Sequence, residues 1–233
     1  MDTKVLPTQF IMIDTYPYRF LLKPFSIADF DNGICKIIYR TISDGTKFLS
    51  TKQKKEEIKF LGPLGNFEKF KNIKIKPEDN IVILAGGSGV AGMIFVYKYL
   101  SKITNNIKFF YGEKEKDYII NLSDFGIKNN VIYSTDDGSF AEKGFVTEVF
   151  YRNYKNFKID YLFLCGPKQM IKSIQKSLKN KSYIKAYVLL EEYMCCGIGL
   201  CRSCVVKVKD KNDWIYQTVC KEGPMFELDN VLL

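Results

Sequence analysis

A chain of 233 residues, 46% hydrophobic and 15% aromatic, holds enough apolar material for a real core and has the length of one large domain or two small ones. It contains no histidine, which removes histidine-held zinc, Ser-His-Asp catalysis and Rieske clusters and leaves cysteine or carboxylate as metal ligands. The net charge of +9 comes from scattered lysines, and the one dense run, Lys52 to Lys55, is broken at once by Glu56 and Glu57, so nucleic acid is not an expected partner.

The first eighty residues read as short strands divided by turns. Gln9–Asp14, Cys35–Thr41 and Ile58–Leu61 are the candidate strands, while Asp31-Asn32-Gly33, Ser43-Asp44-Gly45 and Gly62-Pro63-Leu64-Gly65 supply turn chemistry. That spacing predicts a small antiparallel barrel over residues 1–76, with 72–79 as a linker. From Asn80 the pattern changes. Apolar runs (Ile81–Ala85, Ile107–Tyr111, Val131–Ser134, Tyr161–Cys165) alternate with helical segments (Val90–Ser101, Gly144–Tyr151, Lys168–Lys179), which predicts a doubly wound parallel sheet over residues 77–186. Asn80–Tyr97 carries no charge across about 18 residues, the lower limit for a spanning helix. Gly86-Gly87-Ser88-Gly89 divides it into strand, turn and helix, so no membrane span is expected. Residues 187–233 make a third piece, rich in cysteine and glycine and too small to own a core, for which a metal centre would act as a staple. The fold class expected is therefore β plus α/β, with a C-terminal metal-bearing subdomain.

Cys196, Cys201 and Cys204 are spaced C-x4-C-x2-C, and Cys220 follows after fifteen intervening residues. This is the plant-type [2Fe–2S] spacing: three thiolates from one tight loop and a fourth from a segment folding back. Gly197 and Gly199 permit the dihedrals of such a loop and let backbone N–H groups approach the sulfurs. A zinc knuckle could use Cys201-x2-Cys204, but there is no second C-x2-C or histidine pair. Cys195 reads as a spare neighbour, and Cys35, in a strand-like run, as a core residue. Crowded cysteines and the lack of a basic-then-apolar leader point to a reducing cytoplasm rather than a disulfide framework.

Gly86-Gly87-Ser88-Gly89-Val90 follows a strand and opens a helix, where partial positive charge favours phosphate. It does not match G-x-G-x-x-G, and alone it reads equally well as a tight turn. Thr135-Asp136-Asp137-Gly138 and Cys165-Gly166-Pro167 also follow strands, and three loops at strand C-termini are where an open α/β sheet binds a nucleotide. In the first domain Lys23-Pro24-Phe25-Ser26, then Tyr39-Arg40 and Gly45-Thr46, offer a cation, rings and hydroxyls of the kind a flavin needs, although each is ordinary strand and turn material singly.

Pro24-Phe25-Ser26, Gly45-Thr46, Gly62-Pro63-Leu64-Gly65, Gly86-Gly87-Ser88-Gly89-Val90 and Cys165-Gly166-Pro167-Lys168, in that order, resemble the ferredoxin–NADP reductase superfamily. With Thr135-Asp136-Asp137-Gly138-Ser139, the segment Met194 to Cys204 and Cys220 to Phe226, nearly the whole chain looks like one branch, the electron-transfer subunits of NAD-dependent (class 1B) dihydroorotate dehydrogenases. The resemblance implies that Lys23, Pro24, Phe25, Ser26, Ile38, Tyr39, Arg40, Gly45 and Thr46 contact FAD. It implies that Gly86, Gly87, Gly89, Val90, Asp136, Asp137, Cys165, Gly166 and Pro167 frame NAD, and that Cys196, Cys201, Cys204 and Cys220 hold the cluster. The partner implied is an FMN-containing catalytic subunit, in a heterotetramer of two of each, serving pyrimidine biosynthesis. Electrons from dihydroorotate would pass singly through the cluster to FAD and on to NAD⁺ as hydride; this chain alone would not oxidise dihydroorotate.

Two departures from the family stand out. About thirty residues of barrel strand that family members carry before Pro7-Thr8-Gln9-Phe10 have no counterpart, so the flavin barrel is expected to be shortened. Lys23 stands where the family has arginine, and lysine lacks the planar two-pronged contact to phosphate. Subunits of sulfide dehydrogenase or of NADH-dependent ferredoxin:NADP oxidoreductase share this layout. One of those lines uses a non-cysteine cluster ligand, so four cysteines favour the pyrimidine branch. A structural zinc module without redox role is the alternative of another class.

Overall fold

Phe10–Ile13 (β1), Lys23–Asp31 (β2) and Ile34–Ile37 (β3) open a computed structural model that describes residues 5–18, 20–154, 158–179, 181–211 and 213–233. The helix Asp44–Thr51 (α1) and the strand Phe60–Leu64 (β4) follow. Among the described residues these four strands form one antiparallel sheet in the order β3-β2-β1-β4. Three readings of this region are corrected. Lys23–Ser26, not among the candidate strands, begins a nine-residue strand in which Phe25, Ile27 and Asp29 are buried. Ser43-Asp44-Gly45 starts a helix, because the Thr46 hydroxyl accepts from the N–H groups of Ile42 and Ser43 and closes a cap. Gly62-Pro63-Leu64 lies within β4 rather than in a turn. Cys35 is also exposed on the outer strand β3, not in the core.

After the short helix Glu68–Lys71 (α2) the chain enters the large sheet. Its elements are Ile81–Gly86 (β5), Val90–Leu100 (α3), Ile107–Glu113 (β6), Val131–Thr135 (β7), Glu142–Lys143 (β8) and Val146–Tyr154 (α4). Tyr161–Cys165 (β9), Lys168–Leu178 (α5) and Lys185–Leu189 (β10) complete the wound part. Val205–Asp210 (β11), Asp213–Thr218 (β12), Met225–Glu227 (β13) and Val231–Leu232 (β14) come from the C-terminal piece. Among the described residues the large sheet runs β13-β10-β9-β5-β6-β7-β8, parallel except where β13 pairs antiparallel with β10. β11, β12 and β14 form a separate small antiparallel sheet.

Both faces of the large sheet are covered, so its central strands are apolar without interruption. Val82, Leu84, Phe110, Leu162 and Leu164 face one core; Ile81, Ile83, Phe109, Tyr111 and Phe163 face the other. The uncharged run Asn80–Tyr97 is thereby explained: β5 is wholly buried, and α3 packs against the large sheet through Met93, Ile94 and Val96 and against the first sheet through Phe95. Among the described residues no helix is long and apolar enough to cross a membrane. The C-terminal piece shares its core. Cys204, Val206, Val208, Cys220, Phe226 and Val231 belong to the same apolar cluster as Leu84, Leu162 and Ile174, with Phe10 and Met12 of β1. A division between residues 186 and 187 would pass through β10.

Candidate cofactor clefts and cysteine centre

The cysteine loop is shaped by its backbone. Gly199 adopts φ +84°, a conformation that side chains rarely take, and its N–H points at the Cys220 sulfur at 3.1 Å. The Cys201 N–H donates likewise to the Cys196 sulfur at 3.4 Å. The Cys196 side chain bears on the Cys201 thiol, and the Cys204 side chain on the Cys220 thiol. The Ser203 hydroxyl and N–H, followed by groups of Cys196, lower the Cys201 thiol to about 6. Burial and then the neighbouring Cys204 sulfur push the Cys220 thiol up to about 11. Among the described residues no three cysteine or acidic side chains converge on a point that would hold a single ion. Cysteines spread over one loop and a returning segment, with no single focus, suit a two-iron cluster better than one tetrahedral zinc. N–H groups aimed at sulfur are the contacts that orient such ligands and set a cluster's potential.

A cleft of about 460 Å³ lies between the first sheet, α3 and the segment Leu190–Met194. Lys23, Pro24, Phe25, Ser26, Ile38, Tyr39, Arg40 and Thr46 all line it. Gly45 does not; it packs over the Thr15 hydroxyl and the Lys23 stem, and a Cβ there would meet them at 2.8 and 3.0 Å. The cleft offers a wall from the edge-on pair Phe25 and Tyr39 (5.8 Å between centroids), the hydroxyls of Ser26 and Ser43, and the Lys23 cation beside the first turn of α1. An apolar wall at one end with a cation and helix N–H groups at the other fits a flavin dinucleotide. Met194 and Pro224 also line it, and Met194 lies in the stretch that leads into Cys196.

A second cleft, of about 640 Å³, opens at the C-terminal ends of the parallel strands. Gly86, Gly87, Asp136, Gly166 and Pro167 line it. Gly89 and Cys165 sit beneath: a Cβ on Gly89 would meet the Cys165 carbonyl at 2.5 Å, so this glycine lets α3 start hard against β9. Burial raises the Cys165 thiol well above its ordinary value. Val90 faces a smaller adjoining hollow, and the exposed Asp137 carboxylate accepts from the N–H and hydroxyl of Ser139.

Arg40, Ser88 and Glu191 line both clefts, so the two open onto one another. Arg40 pairs with the buried Glu113 carboxylate at 2.5 Å and lies 4.5 Å over the Tyr118 ring; Glu113 also accepts from the Tyr111 hydroxyl at 3.0 Å. Glu191 is open to solvent through the clefts yet closely surrounded by protein, which pushes its carboxyl up against the opposing Ser88 hydroxyl. Lys168, at the start of α5, bridges to Glu192 at 2.6 Å. The sequence reading passed over Glu113, Glu191 and Glu192. Glu113 ends β6 and could have been found as another residue at the carboxyl end of a parallel strand.

Residues 191–232 match the family described as the iron-sulfur cluster binding domain of dihydroorotate dehydrogenase B. The dihydroorotate dehydrogenase B (NAD(+)) electron transfer subunit of Caldanaerobacter subterraneus subsp. tengcongensis is 32% identical over 97% of this chain and 87% of its own length. That of Clostridium acetobutylicum is 34% identical over 97% and 85%. A solved structure of NADH-dependent reduced ferredoxin-NADP oxidoreductase superposes with a TM-score of 0.82 at 27% identity, covering 98% of this chain and 80% of that one. The ferredoxin reductase of carbazole 1,9a-dioxygenase shares the fold, with a TM-score of 0.61 at 18% identity over 80% and 60%.

Proposed function

Because this chain belongs to the family of dihydroorotate dehydrogenase B (NAD(+)) electron transfer subunits, we propose that it carries electrons between an FMN-bearing catalytic subunit and NAD⁺. In this reading Cys196, Cys201, Cys204 and Cys220 hold a [2Fe–2S] cluster, the 460 Å³ cleft takes FAD and the 640 Å³ cleft takes NAD. When bound, these groups supply one-electron exchange at the iron and hydride exchange between flavin and nicotinamide. The chain's residues do the positioning. Lys23 and the first turn of α1 bind the flavin pyrophosphate, and Phe25 and Tyr39 wall the ring. Gly86, Gly87, Gly166 and Pro167 admit the dinucleotide close to the backbone. Arg40, held by Glu113, keeps the mouths of the two clefts in register.

The cysteine loop carries the reading: Cys196, Cys201 and Cys204 lie on one turn, and the Gly199 N–H of that turn reaches the Cys220 sulfur at 3.1 Å. Purified anaerobically, the chain is expected to contain iron and acid-labile sulfide in equal amounts and to be brown, and Cys201→Ser is expected to remove most of both. Colourless protein with stoichiometric zinc would sink the assignment. Dihydroorotate-dependent reduction of NAD⁺ is expected only when the catalytic subunit is added. The resemblance supports two copies of each chain in the complex, which sedimentation would weigh. The seven unpaired cysteines support a reducing cytoplasm.

A further inference from the structure

We propose that Lys168 is an exchangeable clasp, alternating between the Glu192 carboxylate and the phosphates of a dinucleotide entering the second cleft, so that occupancy of that cleft sets the charge beside the first. This rests on the function proposed above and adds how the nucleotide cleft acts on the flavin side.

The lining of the second cleft carries Arg40, Lys114 and Lys168 against Glu113, Asp136 and Glu191. Each of these cations already faces a carboxylate. Arg40 is bound to Glu113, Lys114 faces Asp136, and Lys168 bridges to Glu192 at 2.6 Å. A diphosphate that leaves water must gain a cation, so one of these pairs has to open. They are not equally releasable. The Glu113 side chain is 4% exposed, and losing Arg40 would strip a buried carboxylate of its counter-charge. Releasing Lys114 would leave Asp136 to the repulsion of Glu113. Lys168 is different. Its side chain is 59% exposed on a flexible stem, and it opens α5 directly after Gly166 and Pro167 in the lining. No side chain caps that helix, so its first N–H groups and the Lys168 ammonium can serve the same anion.

Glu192 gives the exchange its reach. Its side chain is 18% exposed and lines the first cleft, in the segment Leu190–Met194 that runs on to Cys196. Paired with Lys168, the carboxylate is neutralised. Once the ammonium turns to the phosphates, a largely buried negative charge stands on the flavin side without its partner. Electrons added there meet that charge unfavourably, so reduction and nucleotide binding oppose each other through this pair, each by the same factor. The consequence suits electron delivery: the flavin side becomes the stronger reductant when the acceptor is in place.

The test titrates ADP-ribose, which carries the diphosphate but accepts no hydride, into the full chain with its cofactors incorporated, by isothermal titration calorimetry. Lys168→Met is expected to weaken binding about tenfold. Glu192→Gln, by freeing the lysine, should tighten it about fivefold. The double variant should match Lys168→Met alone, because Glu192 acts only through the lysine. Reduction with dithionite should weaken binding to the unaltered chain about fivefold and change Glu192→Gln less than about twofold. Glu192→Gln binding no tighter than the unaltered chain, or an equal effect of reduction on both, overturns the proposal. Should Glu192→Gln fail to fold, undiminished binding by Lys168→Met overturns it as well. Failure of ADP-ribose to bind the unaltered chain refutes instead the assignment of NAD to the second cleft, and the clasp with it.

Discussion

Asp136 directly follows β7 in the lining of the second cleft, and its surroundings are hostile to more negative charge. Burial, followed by the charge of Glu113, raises its carboxyl above the ordinary value; Asp137 and Glu148 act the same way, and only Lys114 opposes. A ribose 2′-hydroxyl could donate to Asp136, whereas a 2′-phosphate would meet these carboxylates at close range. Asp136→Ser is therefore expected to raise kcat/KM for NADPH relative to NADH by about tenfold, or 1.4 kcal/mol. Steady-state ferricyanide reduction with each nucleotide measures it, and an unchanged ratio would clear Asp136 of the role. Lys23 gives a second residue-scale expectation. As a point charge beside α1 it would neutralise a bound phosphate without bidentate geometry, so Lys23→Arg should tighten retained FAD and Lys23→Ala should loosen it about tenfold in equilibrium dialysis. At this scale the sequence speaks clearly only where chemistry imposes spacing. The four cysteines stand out because a two-iron site would dictate such a separation. Arg40, Glu113 and Glu191 were not legible as a junction, because their meeting depends on loops that only the folded sheets bring together.

Between elements, the contact of β2 with α3 is fastened by one buried carboxylate. Asp29 is almost wholly buried and receives Lys98 of α3 at 2.7 Å and Lys36 of β3 at 3.4 Å. Burial alone would raise its carboxyl, but the two ammonium groups outweigh burial and hold it below the ordinary value of 3.8. A depressed folded value contributes stability that is fully present above the unfolded one and is lost as pH falls through the folded one. Asp29→Asn should thus cost about 1–2 kcal/mol at pH 7, discounted because both lysines remain partly in solvent. The deficit should shrink below about pH 4. Urea midpoints of both chains at pH 7 and pH 3 decide it; an equal deficit at both would show that packing rather than charge fastens the contact. The elements themselves were read unevenly. β5, α3, β9 and α5 declared themselves through unbroken apolar runs and a clear helical face. β2 and α1 did not. Pro24 opening a strand and Gly45 inside a helix both contradict local preference, and burial of Phe25 and Ile27 together with the Thr46 cap overrides it.

Three cofactor regions do not amount to three folding units. The cysteine lobe contributes β13 to the edge of the large sheet, and its apolar side chains enter the core formed by α5, β9 and β5. The ring of Phe226, 2% exposed, is central to that junction: it belongs to the shared core, and Lys69 from α2 lies 4.3 Å over it. A lobe with no core of its own cannot keep its loop shaped once the sheet beneath it melts, and the cysteines must separate with it. The chain should therefore unfold in urea as one transition, with cluster absorbance and far-ultraviolet circular dichroism lost at the same midpoint. Phe226→Ala should lower that shared midpoint by an amount equivalent to about 3–5 kcal/mol, and both signals should move together. Should the cluster bleach well before the helices melt, in either chain, the lobe would be a separate unit held by its metal. In that case the staple expected from the sequence would outrank the shared core found in the structure.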